Sequence, residues 1–79
     1  MSGVGGNAFY YGFDDAVNDA WIDVFVYRFN DSHIAIKLCV SPYGATRGVG
    51  QCIAVHVHND RIDELLTFLR RAAKALLER

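Results

Sequence analysis

The C-terminal stretch 59–79 constrains the fold more than any other, because its pattern fixes both a conformation and a direction of burial. Its apolar residues recur at steps of three and four, which places them on one stripe of a helix: Ile62, Leu65, Leu66, Leu69, Ala72, Ala73, Leu76 and Leu77. Asn59 or Asp60 can cap the first turn, and basic residues near the end complement the helix dipole. The rest of the chain must therefore supply the apolar surface that this stripe covers.

Four antiparallel strands are predicted upstream of the helix, within residues 8–58. The stretches 21–29, 33–41 and 51–58 have the apolar alternation of strands, and a shorter aromatic stretch, 8–13, is typical of an edge strand. The glycine-rich stretch 1–7 is expected to be a flexible arm. The sequence thus predicts one domain, 1–79, of α+β class: a four-stranded antiparallel meander with one C-terminal amphipathic helix, 59–79, packed on one face (ββββα).

The loop around Asn30-Asp31-Ser32 decides which side chains share a face, because a one-residue slip between paired strands exchanges their faces. A two-residue loop would place aromatic residues beside aliphatic ones: Phe29, Tyr27 and Phe25 beside Ile34, Ile36 and Leu38. A three-residue loop would instead align Val26, Val24 and Ile22 with Ile36, Leu38 and Val40. We favour the three-residue loop, because it separates an aliphatic face suited to the leucine stripe from an aromatic, partly polar face.

Composition indicates more apolar surface than a small core readily hides, since 52% of the 79 residues are hydrophobic. We therefore expect part of this surface to serve another protein or a second copy of the chain, as a homodimer. The net charge is −1, with five aspartates against Arg28 in residues 1–36 and seven basic against four acidic residues in 37–79. This balance argues against a general polyanion binder, which is normally basic. No stretch resembles a membrane span or a signal peptide, so we expect a cytosolic location.

Cys39 and Cys52 lie within predicted strands. The simplest interpretation is that both are small, buried and reduced. A disulfide is the other option, because a loop centred near Ala45 would place the two cysteines opposite one another on neighbouring strands.

Three patterns could carry chemistry, and each is incomplete. His56 and His58 share a strand face with Cys52 and could form a zinc site with His33, but no ligand pair of the usual spacing completes it. The glycine-rich stretch 44–50 lacks the lysine and the hydroxyl residue of a P-loop and leads into a strand. A cysteine nucleophile would need a histidine in a cleft, for which a small meander has little room. We therefore expect no enzymatic activity, no cofactor and no metal.

Charged and aromatic positions are the candidates for partner binding. Clustered aspartates could present carboxylates to a basic surface, as a phosphate mimic would, or could form a solvated edge that keeps the sheet soluble. The aromatic face could be an interface, or the N-terminal aromatics could fold over it. The candidates are Asp14, Asp15, Asp19 and Asp31 for a basic target, Arg47, Arg70, Arg71 and Lys74 for an acidic one, and the aromatic residues Phe25, Tyr27 and Phe68.

In size and layout, this compact sheet-and-helix chain with no enzyme motif and an uneven charge map resembles the phage-encoded anti-CRISPR proteins. That resemblance implies a phage protein in the host bacterial cytosol that blocks a nucleic-acid-guided defence effector, such as a CRISPR surveillance complex, by direct binding. Those inhibitors share no common motif, so the resemblance assigns no role to any residue.

The strands within 21–58 and the helix 59–79 are also similar to the coactivator-type and Whirly-type single-stranded DNA binders, which dimerise through such helices. This second resemblance implies a nucleic-acid-binding homodimer. The sequence departs from it on the sheet face that carries Phe25, Tyr27 and Phe29, because Lys37 is the only basic residue predicted there.

Overall fold

The computed structural model describes residues 2–5, 7–42 and 50–78. Its elements are β1 Ser2–Gly5, β2 Ala8–Asp15, β3 Ala20–Arg28, β4 His33–Pro42, β5 Gln51–His58, a 3₁₀ helix Asn59–Arg61 and α1 Ile62–Leu77. The strands form one antiparallel sheet in the order β1-β2-β3-β4-β5. The predicted α+β class, the four strands within residues 8–58 and the C-terminal helix are confirmed. None of the helices in these ranges is both long and apolar enough to cross a membrane.

The expectation of a flexible arm over residues 1–7 is wrong for residues 2–5, which form β1. This strand pairs with β2 so that Ser2 is opposite Tyr11 and Gly5 is opposite Ala8. The physical reason is that the outer edge of β2 presents unpaired backbone groups, and a glycine-rich segment can pair with them through its own backbone. A pairing of this kind leaves no pattern in the side chains.

The turn between β3 and β4 has the predicted three-residue loop. The N–H of Phe29 donates to the carbonyl of His33 at 3.0 Å, and the side chain of Asn30 accepts from the N–H of Ser32 at 2.9 Å. The resulting pairs are those expected of that loop: Ile22 with Val40, Val24 with Leu38, and Val26 with Ile36. The separation of the sheet into two chemically different faces is therefore confirmed.

We call one side of the sheet the aliphatic face. It carries Ile22, Val24, Val26, Ile34, Ile36, Leu38, Val40, Ile53, Val55 and Val57, to which β2 adds Phe9, Tyr11 and Phe13. We call the other side the aromatic face. It carries Tyr10, Gly12, Trp21, Asp23, Phe25, Tyr27, Ala35, Lys37, Cys39, Cys52, Ala54 and His56.

The helix α1 does not pack on a face of the sheet, so that part of the expected arrangement is wrong. None of its residues is buried, and it makes no extensive contact with any strand. The link to β5 explains this placement. The N–H of Asn59 donates to the carbonyl of Ser32 at 2.8 Å, and the side-chain amide of Asn59 donates to the carbonyl of Asp31 at 3.1 Å. The chain is thus held at the β3–β4 turn, and α1 continues away from the sheet.

The cap at this junction also differs from the expectation that Asn59 or Asp60 would cap the helix. The ring Nδ1 of His58 accepts from the N–H of Asp60 at 3.1 Å and caps the 3₁₀ helix. The α-helix itself begins at Ile62 without a side-chain cap. The residues expected to start the helix therefore form the link instead.

Cys39 and Cys52 are joined by a disulfide, so the expectation of two reduced thiols is wrong. The two residues are direct partners across β4 and β5, with 4.1 Å between their Cα atoms, as a loop centred near residue 45 would place them. Cys39 is 2% exposed. The bond closes the base of the segment 43–49, which lies outside the described residues.

Replacing both cysteines with alanine should lower the free energy of unfolding by about 3 kcal/mol, because the bond closes a loop with a sequence separation of 13. The measurement is the urea midpoint of the wild type and of the double variant, each with and without a reductant. The reductant should lower the midpoint of the wild type and leave that of the variant unchanged. Equal midpoints in every sample would contradict a native disulfide.

Candidate interaction surfaces

The aliphatic face is the largest open surface of the sheet. At least 40% of the surface of seven large side chains remains exposed there: Phe9, Tyr11, Phe13, Leu38, Val40, Ile53 and Val55. Charged groups lie only at its rim, at Asp15 and Arg28 among the residues described in β2–β5. A sheet face of this composition normally packs against a second layer, and the described part of the chain does not supply one.

The apolar stripe of α1 is the second open surface. We call the apolar residues that recur with the helical period between Ile62 and Leu77 the helix stripe. Leu66 and Leu69 at its centre are 45% and 53% exposed. Near the start of α1, Leu65 and Phe68 line a shallow pocket together with Val57 of the sheet. The expectation that Leu66 and Leu69 lie beneath the sheet is therefore wrong for the single chain.

The chain as a whole exposes more surface than a folded chain of its mass usually does. Its accessible surface is 6300 Å² at 8.8 kDa, whereas the usual scaling gives about 4,800 Å² for a monomer of that mass. The Cα radius of gyration is 14.2 Å, against about 12 Å for a compact chain of this length. Both comparisons indicate that a layer of packing is missing from the isolated chain.

The aromatic face is organised by a buried carboxylate, Asp23, which is 2% exposed. The hydroxyl of Tyr10 donates to Asp23 Oδ1 at 2.6 Å, and Nε1–H of Trp21 donates to the same oxygen at 2.8 Å. Both rings lie against Gly12, where a Cβ atom would come within 2.8 Å of Trp21 and would collide with the Tyr10 hydroxyl. The absence of a side chain at Gly12 makes room for both donors, so the buried carboxylate is satisfied.

Phe25 and Tyr27, two candidate partner-binding residues, are only half exposed on this face. Phe25 packs against Tyr10 with 5.3 Å between ring centroids. Tyr27 pairs with Ala35, which is fully buried. The small residues Ala35 and Cys39 beside these rings are buried, whereas Ala54 and His56 on β5 remain exposed. Tyr10, one of the N-terminal aromatic residues, does pack on this face, but it does so from the neighbouring strand β2 and not by folding over the sheet.

Histidines gather at one end of the aromatic face: His33, His56 and His58. The rings of His33 and His58 meet edge to face, with 5.1 Å between centroids. The sulfur of Cys52 is bonded to Cys39, so it is not available to a zinc ion. No three potential metal ligands are grouped together anywhere in the described ranges.

The acidic candidates separate into two groups. Asp14, Asp15 and Asp19 lie together at the turn between β2 and β3, whereas Asp31 lies at the opposite end of β3. The carboxylate of Asp15 accepts from the side chain of Asn18 at 2.7 Å and from two backbone N–H groups of the same turn. These hydrogen bonds lower the pKa of Asp15 below its ordinary value of 3.8, and the bond from the Asn18 side chain has the largest effect.

The basic candidates that the structure describes lie on α1. Arg70, Arg71 and Lys74 are exposed, and Phe68, beside the helix stripe, is 65% exposed. Arg47 lies outside the described residues. The fold thus places the acidic turn on the sheet and the basic side chains on the helix, on two separate parts of the molecule.

Asp23 is one of the five aspartates of residues 1–36 and was expected to belong to the acidic cluster, but the fold removes it from the surface. A signal was present, since an aspartate inside an apolar strand needs hydrogen-bond donors. Trp21 and Tyr10 carry such donors, on the same strand face and across the pair. The open aliphatic face was also missed, because its cover was assigned to the helix of the same chain.

Tyr10→Phe should lower the free energy of unfolding by about 1–2 kcal/mol, because it removes one of the two donors to a buried carboxylate. Tyr11→Phe is the matched control, since Tyr11 lies half exposed on the opposite face and should show almost no change. Urea unfolding of the two variants measures the difference. Equal midpoints would mean that the hydrogen bond to Asp23 does not stabilise the fold.

Asn18→Ala should raise the pKa of Asp15 toward its ordinary value, because it removes the strongest of the hydrogen bonds to the carboxylate. A carboxyl whose pKa is lowered by folding stabilises the fold above its unfolded pKa and loses that contribution as pH falls through the folded pKa. An NMR titration of Asp15 measures the shift. Asn30→Ala, in the other hairpin, is the control and should leave this titration unchanged, whereas an identical titration in Asn18→Ala would refute the assigned cause.

No protein-family model matches the chain, and neither a curated protein nor a solved structure is similar to it. The features that bear on function are therefore the two open apolar surfaces, the aromatic face and the separated charges.

Proposed function

We propose that this protein is a non-enzymatic interaction module that binds a protein partner stoichiometrically. The observation that supports this proposal is the open aliphatic face, on which Phe9 and Ile53 are 62% and 64% exposed in a continuous apolar surface. Exposed apolar patches of this extent on a small chain mark interfaces. The energy of association comes from removing that surface from water, and it needs no bond-making chemistry.

The proposed partner class is a bacterial nucleic-acid-guided defence effector, so that the protein acts as an inhibitor of the anti-CRISPR type. Such effectors hold nucleic acid in positively charged channels. The turn with Asp14, Asp15 and Asp19 offers carboxylates to a surface of that kind, and the hydrogen bonds from Asn18 favour the ionised form of Asp15. These contacts would set the speed of encounter and the register of the complex.

A single-stranded nucleic-acid-binding homodimer is the second candidate. One observation favours it: Phe29 is 56% exposed, and its ring lies 4.1 Å from that of His56, centroid to centroid, as a platform for base stacking would. A basic groove beside the platform is the missing requirement, since Lys37 is the one lysine or arginine on the aromatic face of the described strands. We therefore rank this function second.

The inhibitor proposal predicts that activity saturates at a stoichiometric ratio. Nucleic-acid-guided nuclease complexes, preloaded with guide, are titrated with the protein and their cleavage of target DNA is measured. The double variant Asp14→Lys/Asp19→Lys should weaken inhibition about tenfold, with an effect that shrinks as salt rises. Glu78→Lys is the matched control, since Glu78 is an exposed acidic residue at the end of the helix and should inhibit as the wild type does.

Two results would count against the inhibitor. Inhibition by substoichiometric protein with turnover would indicate an enzyme. Salt-sensitive binding of labelled oligonucleotide, lost on Phe29→Ala and with no effect on any effector, would favour the nucleic-acid-binding homodimer instead.

A further inference from the structure

We infer that the aliphatic face of the sheet is covered by α1 of a second copy of this chain, in a symmetric homodimer that exchanges its helices. This inference rests on the proposed function in one respect, that the open apolar surfaces are interfaces. It adds the identity of the occupant and the element that fills the face.

The first argument is that one chain carries two open surfaces of matching chemistry. The aliphatic face is apolar in its middle and charged only at its rim, and the helix stripe is apolar along its whole length. Their lengths also match, since 16 helical residues extend about 24 Å and the 8 to 10 residues of β2–β5 extend about 26–33 Å. A helix laid on a sheet is the ordinary second layer of an α+β fold.

The second argument is that α1 packs on little of the sheet of its own chain, since none of its residues is buried and it meets the sheet only near Val57 in the described part of the chain. The link is three residues long and is fixed by hydrogen bonds from Asn59 to the carbonyls of Asp31 and Ser32, and from Asp60 to the ring of His58. Folding α1 back over its own aliphatic face would require this link to reverse and these bonds to break. A second copy can supply the helix without any change in the link.

The third argument is the area. A fully exposed large apolar side chain presents about 150–200 Å². When this area is scaled by the exposed fraction of each residue, the large apolar residues on the aliphatic face and on α1 together expose about 1,100 Å² per chain. Two copies would then bury about 2,200 Å², which lies in the range of obligate homodimers. The excess of the chain's surface over that of a compact monomer, about 1,500 Å², is also large enough to supply this interface.

Twofold symmetry makes the helix-exchanged dimer a closed assembly. When each helix covers the sheet of the other copy, both aliphatic faces and both helix stripes are used, and neither surface is left to recruit a third chain. The two acidic turns then lie on one assembly, which would present the same charged surface twice.

The decisive experiment is a mixed sample of the full-length protein, with one population labelled with ¹³C and the other unlabelled. Sedimentation at micromolar concentration should show a dimer. Isotope-filtered NMR should show contacts between the methyl groups of Leu69 in one copy and those of Val55 in the other. A monomer, contacts between α1 and its own sheet only, or a dimer joined only through the edges of β5 would each overturn the inference.

Matched variants test the same surfaces by affinity. Leu69→Asp on the helix stripe and Val55→Asp on the aliphatic face should each raise the dimer dissociation constant by about 30-fold or more. Thr67→Asp on the same helix and Ala54→Asp on the opposite face of the same strand are the controls, and both should remain dimers at the same concentration. Circular dichroism shows whether each variant is folded. The inference fails if the controls dissociate as much as the stripe and face variants, and the contacts in the wild type decide it if a variant does not fold.

The two proposals can fail separately. A monomer that inhibits an effector stoichiometrically would overturn the exchange and keep the proposed function. A dimer with the Leu69–Val55 contacts supports the exchange whatever the outcome of the inhibition assay.

Discussion

The three-residue turn Asn30-Asp31-Ser32 is the constraint on which the rest of the structure depends. It sets the register of β3 and β4, and that register places every large aliphatic side chain of the two strands on one face. The carbonyls of Asp31 and Ser32 also hold Asn59, so the same turn fixes the point at which α1 leaves the sheet. One short loop thus decides both what the open face is made of and that its own helix does not cover it.

The sheet is a single layer of strands with apolar residues on both sides. Its two faces are covered in different ways. On the aromatic face, long side chains lie over small ones, and the Asp23 carboxylate ties Tyr10 and Trp21 into that cover. On the aliphatic face, large residues stand beside other large residues, and seven of them remain at least 40% exposed although Ile22 is buried among them. The unsatisfied apolar surface is therefore concentrated on one side.

This asymmetry links the fold to the proposed function. An open apolar surface of this kind suits a protein that acts by binding other proteins, and the charges at Asp14, Asp15 and Asp19 lie away from the middle of that surface. Assembly and target recognition can then use different parts of the molecule. The disulfide between Cys39 and Cys52 ties β4 to β5, which carry four of the seven large exposed side chains of the aliphatic face, and so helps to keep that face intact.

The sequence by itself determined the elements that depend on neighbouring residues: the alternation of β3, β4 and β5, the three-residue turn and the amphipathic pattern of α1. These follow from periodicity, which is a local property of the chain. Tertiary structure alone decided the pairing of β1 with β2, the bond between Cys39 and Cys52, the burial of Asp23 and the position of α1. Each of these depends on groups that meet only after folding: a free strand edge, two sulfurs across a strand pair, two donors over one carboxylate, and a link held by a distant turn. The apolar pattern of α1 predicts that the helix stripe is buried against another surface, but only the geometry of the link determines whether that surface belongs to the same chain.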